Sequence, residues 1–421
     1  MTQTNDYSPL TIDSLAERLH AIDGMQARVG DVPSSWRVRE VGDGNLNLVF
    51  IAEGPLGGVI VKQALPYVRL VGDSWPLPLK RSFFEYHALT RQAQRDPGRV
   101  PEIYHFDNTQ ALIVMEFLQP HQILRYSLIA GTRHEGLART LGLFCARTLF
   151  RGSDLSMSTA DRKHDVALFA DNVELCDITE NLVFDDPYFS AEMNRHTSPQ
   201  LDSMVAQLRA DIDLKVEVQH LKARFCTNAE TLLHGDLHTG SVMVHENSSF
   251  IIDPEFAVYG PMGFDVGMLL ANFFMAYFAQ PGHGSDRQEY QQWILTVIDD
   301  IWSTFSDEFS RLWREERTGI LYQQRLYEDQ GHEIAAEQAL LHRLDEIWHD
   351  TVGFAGVEMH RRTLGLAHII ELDNIENSDL RAVCEKRGLL LGRHCIVNRQ
   401  HFRTIAQLTE LAQRIENGHI A

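Results

Sequence analysis

The chain has 421 residues, 44% of them hydrophobic, with 38 Lys plus Arg against 58 Asp plus Glu for a formal charge of −20. Such a length and balance describe a packed globular protein of two domains or lobes, and exclude a disordered or fibrous chain. So acidic a surface repels phosphate backbones and anionic bilayers, so neither nucleic acid nor membrane is expected as a partner, and an anionic substrate would need a local cationic device.

A short amphipathic helix is expected over residues 12–22, then a strand over 36–41, where apolar residues alternate with period two. Strands over 47–52 and 59–62 flank Gly54-Pro-Leu-Gly-Gly58, a hairpin signal. The two prolines and Trp75 of residues 70–78 give a stiff loop, either a cover for a ligand or a plain surface loop with an anchoring ring. A helix over 79–94 and a strand over 111–118 follow, and Gln119-Pro120 is the expected boundary between an N-lobe, 1–118, and a C-lobe, 119–421. Beyond it helical periodicity prevails near 136–150, 200–224, 288–305 and 333–347, with a buried apolar helix over 266–278. One island differs: His234-Gly-Asp-Leu-His-Thr-Gly240 precedes a strand over 242–244, a turn over 246–249 and a strand over 250–253.

The five cysteines never form a CxxC pair, which argues against a disulfide framework or a zinc ribbon and fits a reducing cytoplasm. The first residues lack the basic and apolar regions of a signal peptide, and no apolar run of about 18 residues could span a bilayer.

Three segments carry chemistry. The turn Gly42-Asp-Gly-Asn45 lies between two strands; glycines there would let backbone N–H groups approach a polyphosphate, with Asn45 bonding it or capping the turn. Lys62 ends an apolar strand, and Glu85 lies on the helix that follows. Asp236 and the run Ile252-Asp-Pro-Glu255 are 17 residues apart, separated by a short strand, a turn and a strand. One aspartate placed after a strand can accept the proton of an attacking hydroxyl, and a second carboxylate group, Asp253 with Glu255, can hold the Mg²⁺ of a nucleotide. No GxxxxGK[ST] phosphate loop, Rossmann glycine run or HExxH zinc motif is present.

Taken together, His234-Gly-Asp-Leu-His-Thr-Gly-Ser241 and Ile252-Asp-Pro-Glu255 resemble the aminoglycoside phosphotransferase and choline kinase superfamily. The segments at 42–47, 61–69, 234–244, 253–265 and Gly356-Val-Glu-Met-His-Arg-Arg362 are similar to the methylthioribose kinase family within it. The resemblance implies an α+β, two-lobed, protein-kinase-like fold with a β-rich N-lobe and a mainly helical C-lobe. It implies ATP and Mg²⁺ as cofactors, the small molecule 5-methylthioribose as substrate, phosphorylation of its anomeric hydroxyl in methionine salvage, and a homodimer. By the same resemblance Asp236 is the base and touches the sugar; Asp253 and Glu255, joined by Pro254, hold the metal and nucleotide; Asn45 and Lys62 meet the phosphates; and Glu85 orients Lys62. Glu116, Phe117 and Leu118 form the hinge against adenine. Arg361 and Arg362, beside apolar stripes on a helix, would face the sugar and the transferring phosphoryl, supplying the cationic device. Ser241 stands where most of the superfamily has a metal-binding asparagine.

Kinases of choline, homoserine or aminoglycosides are the rival readings. The arginine pair opposes both cationic acceptors, which want aromatic cages or carboxylates. A nucleotide-binding module without catalysis is the rival of another class, and the full set of charged residues opposes it.

Overall fold

A computed structural model describes residues 7–42, 46–68 and 72–420. The chain divides into two compact units, Met1–Pro120 with Phe250–Ala257, and His121–Ser249 with Val258–Ala421. The fold is α+β: the first unit is built on an antiparallel sheet, and the second is mainly helical.

In the first unit, α1 (Ile12–His20) starts at a capping box in which Thr11 and Ser14 satisfy each other's backbone N–H groups. A short α2 (Met25–Val29) precedes β1 (Arg37–Glu40), β2 (Asn47–Gly54) and β3 (Gly57–Ala64); β4 (Tyr67–Val68), β5 (Gly72–Pro76), α3 (Arg81–Arg95), β6 (Ile103–Asp107) and β7 (Leu112–Glu116) complete it. Five of the strands form one sheet in the order β1-β2-β3-β7-β6. The register pairs Gly54 with Gly57 at the hairpin end and Lys62 with both Val49 and Ile113.

The alternation of strand side chains sets the two faces of this sheet. Val59 and Val61 of β3 join Leu15, Leu19, Phe50, Ala52, Leu112 and Val114 in one buried cluster. Lys62, one residue out of phase, is turned to the opposite face, where Glu85 of α3 meets it. Residues 70–78, expected as an irregular loop, contain half of a two-stranded ribbon, with Tyr67 opposite Pro76.

The second unit is organised by three helices. Gly263–His283 is buried from Gly263 through Gln280 and packs against Glu333–Leu364 and Ser378–Asn398. The helix Glu333–Leu364 is longer than expected and is buried at every residue from Ile347 to Leu364. Its close approach to Ser378–Asn398 requires Gly356, because a Cβ there would lie 2.6 Å from the Gly392 carbonyl oxygen. Gln288–Glu315 likewise runs beyond its expected end at 305.

The single helix expected over 200–224 is two, Asp202–Ala210 and Ile212–Thr227. Asp211 divides them: its backbone is extended and its carboxylate accepts the Leu214 N–H at 3.0 Å, so it caps the second helix instead of continuing the first. The strand expected over 250–253 is Ser248–Ile251, displaced because the left-handed Glu246 (φ 46°) tightens the preceding turn. Along this strand the chain passes from the second unit into the first. No helix among the described residues is long and apolar enough to cross a membrane.

Candidate active site

The first unit gathers a cluster of opposite charges that is buried except at Asp253. Lys62 Nζ lies 2.9 Å from Glu85 Oε1 and also donates to Asp253 Oδ1. Asp253 comes into the unit on residues 250–257, anchored where the Ile251 N–H donates to the Arg99 carbonyl at 2.7 Å. Its backbone is left-handed, φ 70°, a conformation that aspartate tolerates better than most residues. Two residues on, buried Glu255 accepts from Asn47 Nδ2 at 3.0 Å, with the Arg81 guanidinium Nε 3.7 Å away. Arg81 also donates to Asn47 Oδ1 at 3.0 Å, to the Leu65 carbonyl at 2.5 Å and to the Leu46 carbonyl, so it ties the entry of β2 to the exit of β3.

Burial opposes the charge of Lys62, but Asp253, Glu85 and Glu255 outweigh it and hold the ammonium protonated well above the ordinary lysine range. Glu85 and Glu255 are pushed up in turn, chiefly by burial and also by the neighbouring carboxylates, against the pull of Lys62. Glu85, Asp253 and Glu255 each offer a carboxylate oxygen, all within 4.8 Å of one another. Hard oxygen donors crowded beyond what nearby cations neutralise suit a divalent cation of the Mg²⁺ type.

The second unit holds Asp236. The strand Thr231–Leu232 pairs with Tyr259–Gly260 and leads into the loop. The carboxylate of Asp265 pins that loop, accepting the His234 N–H at 2.7 Å and the Gly235 N–H at 3.0 Å. Gly235 is left-handed at φ 86°, which turns the chain so that Asp236 follows. Its Oδ1 accepts from Arg361 Nη1 at 3.2 Å and Arg362 Nη2 at 3.0 Å, and His238 Nε2 lies 3.3 Å from Oδ2. Burial alone would push Asp236 up, but His238, Arg362 and Arg361 outweigh it and hold the carboxyl well below its usual range.

Both arginines are in turn held by Glu358, which is fully buried one turn earlier on their helix. Its Oε2 meets Arg361 Nη1 at 3.1 Å, and its Oε1 meets Arg362 Nε at 2.6 Å and Asn272 Nδ2 at 3.1 Å. Burial would raise Glu358, yet Arg362 and Arg361 hold it below the ordinary value.

The structure thus brings Lys62, Glu85, Asp253 and Glu255 together in one unit, and Asp236, Arg361 and Arg362 in the other. Pro254 is buried between the two acidic residues, and its carbonyl accepts the Ala257 N–H. Glu116 ends β7 opposite Val59, Phe117 packs over Gly58, and the Phe117 carbonyl accepts the Gln119 N–H at 2.8 Å. Leu118 is buried. These three lie beyond Ile113, the β7 partner of Lys62, rather than in the charged cluster. Asn45 lies outside the described residues. Ser241 uses its hydroxyl within the loop, donating to the Asp236 carbonyl at 2.8 Å.

Sequence reasoning passed over Arg81, Asn47, Glu358 and His238. Helical spacing could have found two of them: Arg81 stands four residues before Glu85, and Glu358 three and four before the arginine pair.

Comparison with known proteins sets this geometry among relatives. A family model described as a phosphotransferase enzyme family matches residues 37–297. Methylthioribose kinase 1 of Oryza sativa subsp. japonica is 43% identical over 408 residues, covering 96% of this chain and 94% of the relative. The Escherichia coli O45:K1 methylthioribose kinase is 43% identical, covering 97% and 98%, and that of Geobacillus kaustophilus is 42% identical, covering 95% of each. At 95–97% coverage of the chain, these matches extend over both units. The chain belongs to the phosphotransferase enzyme family and, within it, to the methylthioribose kinases.

Proposed function

We propose that the chain transfers the γ-phosphoryl group of ATP to the anomeric 1-hydroxyl of S-methyl-5-thioribose, giving the 1-phosphate, a step of methionine salvage. The observation that carries the reading is the near-complete alignment with methylthioribose kinases of plants and bacteria.

In this reading Lys62, kept cationic by its carboxylate neighbours and oriented by Glu85, holds the α- and β-phosphates. Glu116, Phe117 and Leu118 present backbone groups to adenine, and Glu116 lies about 10 Å further along β7 than the partner of Lys62. Asn45 contributes at the phosphates. Asp253 and Glu255, on either side of Pro254, hold Mg²⁺, which when bound offsets phosphate charge. The second unit supplies the acceptor chemistry: Asp236 receives the hydroxyl proton, and Arg361 and Arg362 offer guanidinium forks to the equatorial oxygens of the transferring group. The sugar is a neutral acceptor, which agrees with the guanidinium groups of Arg361 and Arg362 beside Asp236.

All five cysteines are unpaired, which supports placement in the cytoplasm. A homodimer is the assembly proposed from the family resemblance, and sedimentation at a mass of two chains would support it.

The test is ADP release by the purified protein with Mg-ATP and 5-methylthioribose, beside ribose, choline and homoserine. Turnover confined to methylthioribose is expected. Turnover on choline or homoserine instead would keep the kinase chemistry and discard the substrate.

A further inference from the structure

His238 has no role in the reading above, although it lies half-buried two residues past Asp236. Its Nδ1 accepts the Gly240 backbone N–H at 2.8 Å and lies 3.3 Å from Arg125 Nη2. An amide and a guanidinium can only donate, so Nδ1 carries no proton. The proton of the neutral ring is therefore on Nε2, 3.3 Å from Asp236 Oδ2, and a carboxylate can only accept. Arg125 is itself held in place, with Nε 3.3 Å from Glu371 Oε2, while Glu371 Oε1 takes the Thr239 hydroxyl at 2.9 Å. Asp236, Arg362 and Arg125 are the charged groups that face the ring, and burial, the largest influence, keeps it neutral.

The lone pairs of Asp236 can now be counted. Oδ1 accepts from Arg361 and Arg362, which uses both of its acceptor positions, while His238 Nε2, 3.3 Å from Oδ2, covers one position there and leaves one. We propose that His238 is a positioning residue, locked by Gly240 and Arg125 in its Nε2–H form, which directs the substrate hydroxyl to the remaining lone pair of Asp236 Oδ2. This rests on the reading of Asp236 as the proton acceptor. In the transfer, the hydroxyl O–H bond breaks and its proton passes to Oδ2. The oxygen's electron pair forms the new bond to the γ-phosphorus, and the bond to the β-bridging oxygen breaks with its pair leaving on ADP. Asp236 releases the proton to water after the product departs. His238 cannot serve as a second base, because a proton on Nδ1 would meet two donors.

The tautomer is tested on the unaltered protein, by nitrogen NMR after ¹⁵N-histidine labelling, with the His238 signals assigned through their loss in His238→Gln. A protonated Nε2 and a bare Nδ1, unchanged from pH 6 to 8, are expected. A proton on Nδ1, or a ring that becomes cationic in that interval, would overturn the proposal. In kinetics, His238→Leu should lower kcat about 10- to 100-fold with an unchanged KM for ATP, the scale of a misplaced reacting group. His238→Gln, whose amide can donate from nearly the same point, should recover most of that loss, a rescue that a filling role would not give. Asp236→Asn separates the two claims. If it turns over normally, the reading of Asp236 fails and this proposal with it; if it is inactive while His238→Leu matches the wild type, this proposal alone fails.

Discussion

The two units hold their carboxylates in opposite ways. In the first, Glu85, Asp253 and Glu255 face Lys62 and Arg81, three formal negative charges against two positive, and burial lifts Glu85 and Glu255. In the second, Asp236 and Glu358 face Arg361 and Arg362, two against two, and both carboxyls are held down. A cluster with surplus negative charge is prepared for a cation, whereas a balanced one is prepared to exchange hydrogen bonds with a neutral acceptor without a net change of charge. In the proposed reading, this difference in ratio separates the side chains assigned to nucleotide binding from those assigned to proton transfer.

Breaking the balanced cluster should have the largest effect. Asp236→Asn is expected to reduce kcat by about 10² or more with little change in KM for Mg-ATP, measured by ADP release. Wild-type turnover would remove Asp236 from the chemistry. Lys62→Ala should cost about 10² in kcat/KM for Mg-ATP, and should lower the melting temperature too, because Glu85 is left buried beside other carboxylates. Normal ATP affinity in that variant would contradict the phosphate role. Glu358→Gln should lower kcat/KM for the sugar about tenfold by loosening both arginines while leaving the nucleotide side unchanged. A loss shared equally by both substrates would blur the distinction between the clusters.

The gentlest probe is pH. Glu85 and Glu255 have raised pKa values, so they take up protons first as the pH falls, and the first cluster loses negative charge. Asp236 and Glu358 are depressed and stay ionised over the same range. As the pH is lowered, kcat/KM for Mg-ATP should therefore fall first while kcat at saturating nucleotide holds. An acid limb in kcat alone would reverse the assignment.

Much of this was legible in order and spacing. The glycine turn, lysine strand and glutamate helix predict the Lys62–Glu85 pair, and the 17 residues from Asp236 to Asp253 predict two carboxylates joined by a strand, turn and strand. Short-range signals located the hairpin at 54–58 because its glycines fix the turn. What escaped depends on partners distant in sequence. Arg81 reads as part of the first turn of a plain amphipathic helix until Leu46, Asn47 and Leu65 arrive from two strands. His238 looks interchangeable with its histidine neighbours until Gly240 and Arg125 settle which nitrogen carries the proton. The break at Asp211 was missed because apolar periodicity continues on both sides of the capping residue.

The helix Glu333–Leu364 has a consequence for altering this protein. Its last eighteen residues are all buried, and Arg361 and Arg362 emerge from the end of that stretch. Retuning acceptor choice by replacing residues there would disturb packing at every position tried, with Gly356 leaving no space for even a methyl group. An engineer seeking a new acceptor would do better to begin after the helix, at residues 366–368, where the chain is irregular and partly exposed. There the Ala367 carbonyl already lies 3.5 Å from Arg362 Nη1, so side chains can be exchanged near the arginine while the helix stays as it is.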